Sequence, residues 1–463
     1  MNFNSLTYLL FLPITVILYF VLPKRLKNPA LLLASYFFYA CWQPAYALLM
    51  LFSTAATYFC GRLLQRYKSK KRLWLVLCLV VNLAILFFFK YFNFFSTLAF
   101  GKGALTLNVL LPVGISFYTF QAIGYTIDVY RGDIAAEKNF CNYALFVSFF
   151  PQLVAGPIER TGNILPQLKV SSKFSLDNLN KGLILIVWGM FKKVVIADNA
   201  AVTVNAVYDS VKDMGALSLV IATLMFAVQI YCDFSAYSDI ARGSAKIIGI
   251  DLMQNFKSPY LAVSIKDFWR RWHISLSSWF KDYLYFPLGG SRVKKPRLIL
   301  NLLIVFMVSG LWHGAALTFV VWGLLHGLYQ AAEIFTEPFF KNKKGLCLRI
   351  ARTGFTFLLV NVGWVFFRAN TLLDALTALK KIFTLGDGQL LLGQSSKMVL
   401  VTLVAAVVMF IVEAFNQSER VFEFIKSNIF VRYAFYFVIL IVIFVFGYYG
   451  DGFDPQDFVY FQF

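Results

Sequence analysis

The sequence predicts an all-α polytopic membrane protein, and three observations carry that prediction. First, its 463 residues are 59% hydrophobic and only 14% charged, whereas soluble domains are about a quarter charged. Second, the mean hydropathy is +0.69, and apolar stretches near the length needed to cross the hydrocarbon core, about 20 residues, recur from end to end. Third, the net charge of +20 is gathered in short clusters between those stretches, at residues 24–27, 68–72, 292–297 and 341–344. Such clusters follow the positive-inside pattern of cytoplasmic loops. They do not form the continuous patch of a nucleic-acid binder, so membrane lipid is an expected partner and nucleic acid is not.

In chain order, the first span is 5–22. It has no basic leader or small-residue cleavage site, and basic residues follow at once, so it reads as a retained span and not a signal peptide. The pair 29–42 and 45–61 is broken at Gln43-Pro44, where proline halts a helix. Basic loops at both ends suggest two short helices returning to one side.

Segments 73–90 and 105–129 come next. Segment 140–155 runs into Pro151 and Gly156-Pro157 and reads as re-entrant or interfacial, a backbone tolerated only where protein or a water-filled cavity shelters it. After 181–198 and 216–250, residues 298–336 would make a helix of about 57 Å at about 1.5 Å per residue. That is nearly twice the hydrocarbon thickness, so a break is expected at Gly310 or Gly314. Segments 350–368, 397–415 and 431–449 complete the set. With no internal repeat and no long linker, the reading is one membrane domain over 1–463, with its chemistry-bearing core at about 110–330 and an aromatic tail at 451–463.

The six cysteines (Cys41, Cys60, Cys78, Cys141, Cys232, Cys347) are scattered without redox or metal-ligand spacing. They are expected to be small packing residues, and no metal site is expected.

All three histidines, His273, His313 and His326, fall in one stretch, with His313 inside the apolar run 298–321. A charged side chain at membrane depth costs roughly 2.5–3.5 kcal/mol on insertion scales, so such residues are usually functional. Imidazole titrates near neutrality and suits a general base, and low polarity favours its neutral, proton-accepting form. The alternative is a histidine that packs between helices and hydrogen-bonds a carbonyl.

Upstream, residues 266–283 mix Trp269, Trp272, Trp279 and Tyr283 with Arg270, Arg271 and lysines. The composition suits the membrane interface, while the arginines offer planar donor forks to phosphate. In 229–242, Asp233, Ser235, Tyr237, Asp239 and Arg242 close an apolar span. They imply a polar cavity or a paired network, and Asp239 with Arg242 on adjacent turns suits pairing.

The runs Trp312-His313-Gly314 and Trp269-Arg270-Arg271-Trp272-His273-Ile274-Ser275-Leu276-Ser277 closely resemble the signature of the membrane-bound O-acyltransferases, in the bacterial branch that acetylates alginate and peptidoglycan. Pro112-Val113-Gly114-Ile115-Ser116-Phe117-Tyr118, Phe150-Pro151-Gln152-Leu153-Val154-Ala155-Gly156-Pro157 and Asp233-Phe234-Ser235-Ala236-Tyr237-Ser238-Asp239 resemble it too, as do Phe11-Leu12-Pro13 and the last six residues. The resemblance spans nearly the whole chain.

It implies a ring of tilted, broken helices around a central tunnel. It also implies transfer of an acyl group from a cytoplasmic thioester, acetyl-CoA by closest likeness, to an extracytoplasmic hydroxyl. No cofactor would be resident. On this likeness His313 is the general base and His273 positions or polarises the thioester. Lys257, Arg270 and Arg271 are candidates for donor phosphate. Asp233, Ser235, Tyr237, Asp239 and Trp312 are candidates for the tunnel wall, and His326 matches no catalytic position.

The tail ends Phe458-Val459-Tyr460-Phe461-Gln462-Phe463. Tyr460 is a candidate acyl relay through its phenol, and an aromatic interface anchor is the alternative reading. The implied setting is the bacterial cell membrane, multi-pass, with a polysaccharide acceptor and a separate extracytoplasmic SGNH-type acetyltransferase. D-alanyl transfer from a carrier protein to teichoic acid is the rival within the class. A transporter or flippase is the rival outside it, although the paired half-repeats frequent in transporters are not seen.

Overall fold

The computed structural model describes residues 1–340, 343, 345–415, 419–450 and 458, without the side chain of Lys102. Among the described residues the regular structure is helical, with one isolated bridge, Met214 to Gln389, outside it. Two compact units form: Met1–Ile186 with Tyr237–Gln254, and Val187–Ala236 with Asn255–Phe463. Among the described residues, seven helices are long and apolar enough to cross a membrane.

In the first unit, α1 (Leu6–Val21), α2 (Lys24–Ala40) and α3 (Pro44–Arg66) are followed by α4 (Lys71–Leu86), a π-helical turn at Phe87–Tyr91 and α5 (Phe92–Phe100). The break at residues 41–43 falls where Pro44 requires it. However, α3 runs for 23 residues and is long enough to cross, so it is not the short helix expected.

The expected segment 105–129 is helical only from Ile115, in α6 (Ile115–Arg131). Gly114 precedes it at φ 74°, and a Cβ there would meet the Leu153 carbonyl oxygen at 2.8 Å. A side chain at that position would therefore be both strained and crowded. Helix α3 packs on α6, and Gly61 permits the approach, since a Cβ would lie 2.6 Å from the Tyr125 hydroxyl oxygen.

Segment 140–155 is a nine-residue helix, α7 (Phe140–Ser148), followed by a buried turn. Asn139 caps it by accepting from the Asn142 N–H at 3.1 Å. Both the helix end and the turn beyond it find protein partners: Gln121 and Gln152 donate to the Phe146 carbonyl in the last turn of α7, and the Phe150 N–H donates to Ser35 Oγ at 3.1 Å. Buried backbone groups need such partners. Next comes α8 (Thr161–Lys169), and α9 (Leu176–Met190) begins in this unit.

In the second unit a π-helical segment, Phe191–Ala197, joins α9 to α10 (Asp198–Tyr208). There follow α11 (Ala216–Ile248), whose residues to Ala236 belong here, then α12 (Ile265–Arg271), α13 (Ile274–Phe280), α14 (Lys295–His313), α15 (Leu317–Phe340) and α16 (Leu346–Arg368). The rest are α17 (Leu372–Thr384), α18 (Ser396–Phe415), α19 (Arg420–Ser427) and α20 (Ile429–Phe446).

The apolar run 298–336 does break, at Gly314, and folds into the hairpin α14–α15. Gly310 and Gly323 set its closeness. A Cβ on Gly310 would lie 2.2 Å from the Phe319 carbonyl oxygen, and one on Gly323 would lie 2.2 Å from that of Phe306.

Candidate active site

The hairpin places His313 at the last turn of α14 and ends the helix there. Counted from Lys295, it lies about 27 Å along the axis at about 1.5 Å per residue. His313 is 3% exposed, and its ring centroid is 5.0 Å from that of Trp312, 5.0 Å from Trp322 on α15 and 5.5 Å from Phe367 on α16.

His273 arrives from a different element. Helix α12 starts on Ser264, whose hydroxyl accepts from the Asp267 N–H at 3.1 Å, and it stops at Arg271. The chain then turns through His273, which sits at φ 43° as the N-cap of α13. That left-handed conformation is strained for a residue with a side chain, by about 1–3 kcal/mol, and clusters at functional sites.

Asn255 supports the turn. Its carbonyl accepts from the Ile274 N–H at 2.9 Å and its Oδ1 from the Ser275 N–H at 3.2 Å. Two first-turn donors of α13 are thereby satisfied. The His273 ring is fully buried, 4.6 Å from the Phe234 ring of α11, 5.9 Å from Trp312 and 6.4 Å from His313. Two histidines 40 residues apart in sequence thus share one aromatic chamber. His326 borders it at 5.1 Å from Trp322, and its Nδ1 accepts from the Trp269 indole N–H at 3.2 Å, which ties α15 to α12.

The stretch 266–283 does not lie exposed along an interface, as its composition suggested. Trp269, Trp272 and Trp279 are all buried, because the kink at His273 turns both short helices into the core. Beside the chamber is a cleft of about 410 Å³ lined by Trp269, Arg270, Ile274, Ser277, Lys281 and Ser309, among others. Ser309 stands one turn before His313 on α14.

Of the three residues suggested for donor phosphate, Arg270 lines this cleft. Arg271 lies on the other side of α12, paired with Asp267 at 3.0 Å, and lines a separate cleft. Lys257 is exposed, and its backbone N–H donates to the Arg271 carbonyl at 2.9 Å.

The residues of 229–242 part company. Asp233 Oδ1 lies 2.6 Å from Lys193 Nζ, which also holds Asp198 at 2.8 Å. Ser235 Oγ accepts from Lys192 Nζ at 2.9 Å, and that ammonium reaches Glu413 at 3.1 Å. Tyr231 donates to the same carboxylate. Asp233 and Ser235 therefore sit in an ion network, and Phe234 between them is the residue that meets His273. In the first unit, Tyr237 stacks on Phe3 at 4.4 Å, and Asp239 lies 3.8 Å from Arg242.

Tyr460 lies outside the described residues. Phe458, the described residue of that tail, is buried with Lys193 Nζ 4.2 Å from its ring centroid.

Sequence reasoning missed Lys192, Lys193, Glu413, Trp322 and Phe367. Two adjacent lysines inside the apolar run 181–198 were a readable signal, by the same cost argument that singled out His313. Trp322 and Phe367 gave none, since aromatic residues are common in apolar helices.

An all-helical chain with apolar spans and a buried pair of histidines defines an integral, multi-pass membrane protein with the makings of acid–base chemistry. The profile of MBOAT, the membrane-bound O-acyltransferase family, matches residues 134–376. A peptidoglycan O-acetyltransferase of Helicobacter pylori is 40% identical over 411 residues, covering 80% of this chain and 77% of that protein. A probable alginate O-acetylase AlgI of Pseudomonas syringae is 40% identical over 407 residues, covering 84% and 76%. A teichoic acid D-alanyltransferase of Bacillus subtilis is 28% identical over 250 residues, covering 52% and 63%. The chain belongs to the membrane-bound O-acyltransferase family, and its class of activity is O-acyl transfer.

Proposed function

We propose that this protein takes an acetyl group from acetyl-CoA at the cytoplasmic face of the bacterial cell membrane and delivers it to a hydroxyl of an envelope or exported polysaccharide. The observation that carries the reading is the pairing of His313 and His273, 6.4 Å apart in one buried chamber beside a cleft lined by Arg270. His313 takes the proton of the attacking hydroxyl as the new C–O bond forms. His273 polarises the thioester carbonyl. As the C–S bond breaks, the His313 imidazolium returns its proton to the departing thiolate. Arg270 and Lys281 in the cleft suit the phosphates of the donor.

The acetyl donor is favoured over D-alanyl by similarity, 40% against 28% identity. Family membership sets the transporter reading aside. A separate extracytoplasmic acetyltransferase of the SGNH type completes delivery, and Tyr460 in the tail is the proposed relay between the two.

The test is thiol release from acetyl-CoA by the purified full-length protein, with and without acceptor. Release that is lost in His313→Ala is expected. Release with a D-alanyl carrier protein and none with acetyl-CoA overturns the donor assignment. Removal of residues 458–463 is expected to abolish delivery and spare thioester hydrolysis, and unchanged delivery removes the relay.

A further inference from the structure

The second cleft, on the far face of α12 from the one beside the histidines, has a charge balance that the acyl-transfer reading does not use. It is an open cleft of about 360 Å³ between α12, the chain before it and the start of α16. Asp267, Arg271, Lys343, Arg349 and Arg352 line it over an apolar floor of Leu261, Val263 and Leu348. Asp267 is committed to Arg271. Among the described residues, no salt bridge answers Lys343, Arg349 or Arg352.

Lys343 Nζ and the Arg352 guanidinium stand 6.0 and 5.1 Å from the centroid of one ring, Phe340.

Their position on the helix sharpens the point. Helix α16 begins on Gly345 with no side-chain cap and no acidic residue in its first turn. The first N–H groups of a helix lack internal partners, and the positive end of its dipole favours anions and disfavours cations. Here Lys343 precedes the helix and Arg349 closes its first turn, where acidic residues are the favourable choice. An uncapped helix start and guanidiniums with planar forks around an open cleft suit one kind of guest, a phosphate group, whose oxygens accept from backbone N–H and Arg together.

We infer that this cleft is a binding site for a phosphate ester, separate from the histidine chamber and independent of which acyl donor is used. Two sources share that chemistry: an anionic phospholipid, with the headgroup phosphate at Arg349 and Arg352 and an acyl chain along the apolar floor, or a soluble phosphate ester. The positive-inside rule assigns basic loops to the cytoplasmic side, where both occur.

The experiment uses the full-length protein in nanodiscs of phosphatidylcholine. Adenosine 3′,5′-bisphosphate is titrated by equilibrium dialysis as the soluble probe. For the lipid probe, phosphatidylglycerol is doped into the disc and its retention is read by native mass spectrometry. Binding of either probe, one per chain, is expected to weaken by about tenfold or more in R349Q/R352Q, since charged hydrogen bonds are lost. R349K/R352K keeps the charge and is expected to weaken binding less, which separates a lost site from a lost fold. The exposed pair Lys68 and Lys70, changed to glutamine, is the control for general basicity and is expected to leave binding unchanged. Failure of both probes to bind overturns the site, as does an equal loss in K68Q/K70Q.

Discussion

The histidine chamber and the lysine cluster of the second unit bury ionisable groups by opposite means. The ammoniums of Lys192 and Lys193 meet carboxylates at 2.6–3.1 Å, which is how a permanent charge is held out of water. His273 and His313 are surrounded by the rings of Phe234, Trp312, Trp322 and Phe367, a setting suited to a group that exists in a neutral form. The lysine cluster answers each ammonium with a carboxylate, whereas the chamber surrounds its histidines with aromatic rings. Depth alone does not tell the two apart, but the partners do.

The largest expected effect tests the chamber. His313→Ala should lower acyl transfer by roughly 10²–10⁴-fold, the range of general acid–base catalysis, with the thermal unfolding midpoint in detergent nearly unchanged. A large fall in that midpoint would place His313 with the lysines as a structural group.

The lysine cluster should give the reverse pattern. Lys193→Ala leaves Asp198 and Asp233 buried without their shared ammonium, and breaking such a pair costs about 3–5 kcal/mol. Unfolding in denaturant should report that loss. An unchanged unfolding curve with abolished transfer would move Lys193 into the chemistry.

Gly310→Ala tests the hairpin that carries His313. The new methyl would meet the Phe319 carbonyl oxygen at 2.2 Å, and overpacking of this kind costs about 1–3 kcal/mol. The helices must part to admit it, so transfer should fall together with stability. A variant as stable and active as the parent would show that the close approach is dispensable.

The smallest effect lies outside the spans, at Glu137. Burial alone would raise the pKa of its carboxyl. Lys169 at 2.6 Å and the N–H groups of Asn139 and Lys138 outweigh burial and leave it below the ordinary glutamate value. The stabilisation is therefore full above the unfolded value of about 4.3 and is lost as the pH falls through the lowered folded value. Because Lys169 is half exposed, the contribution should be about 1 kcal/mol or less. Glu137→Gln should narrow the gap in stability between pH 7 and low pH, and an unchanged pH profile would remove the pairing from the account.

Much of the fold was legible in the chain because lipid imposes a length rule that leaves few choices. The run 298–336 had to break, and Gly314 was one of two places named for it. The extents of α3 and α6 were misjudged where local composition could not show whether protein would shelter the backbone. The polar run 229–242 was recognised as unusual but its outcome was not readable, because the lysines that claim Asp233 and Ser235 come from another helix.

The sequence by itself determined the all-helical membrane class, the break before Pro44, the need for a break within 298–336, and the singling out of His313, since each follows from the cost of polar groups and the reach of a helix in hydrocarbon. The tertiary structure decided the rest: that His273, held at positive φ by Asn255, enters the same chamber as His313, that Arg270 and Arg271 face different clefts, and that Phe234 meets the site while its polar neighbours do not. Those outcomes depend on which faces of distant helices meet, and no local pattern of residues carries that information.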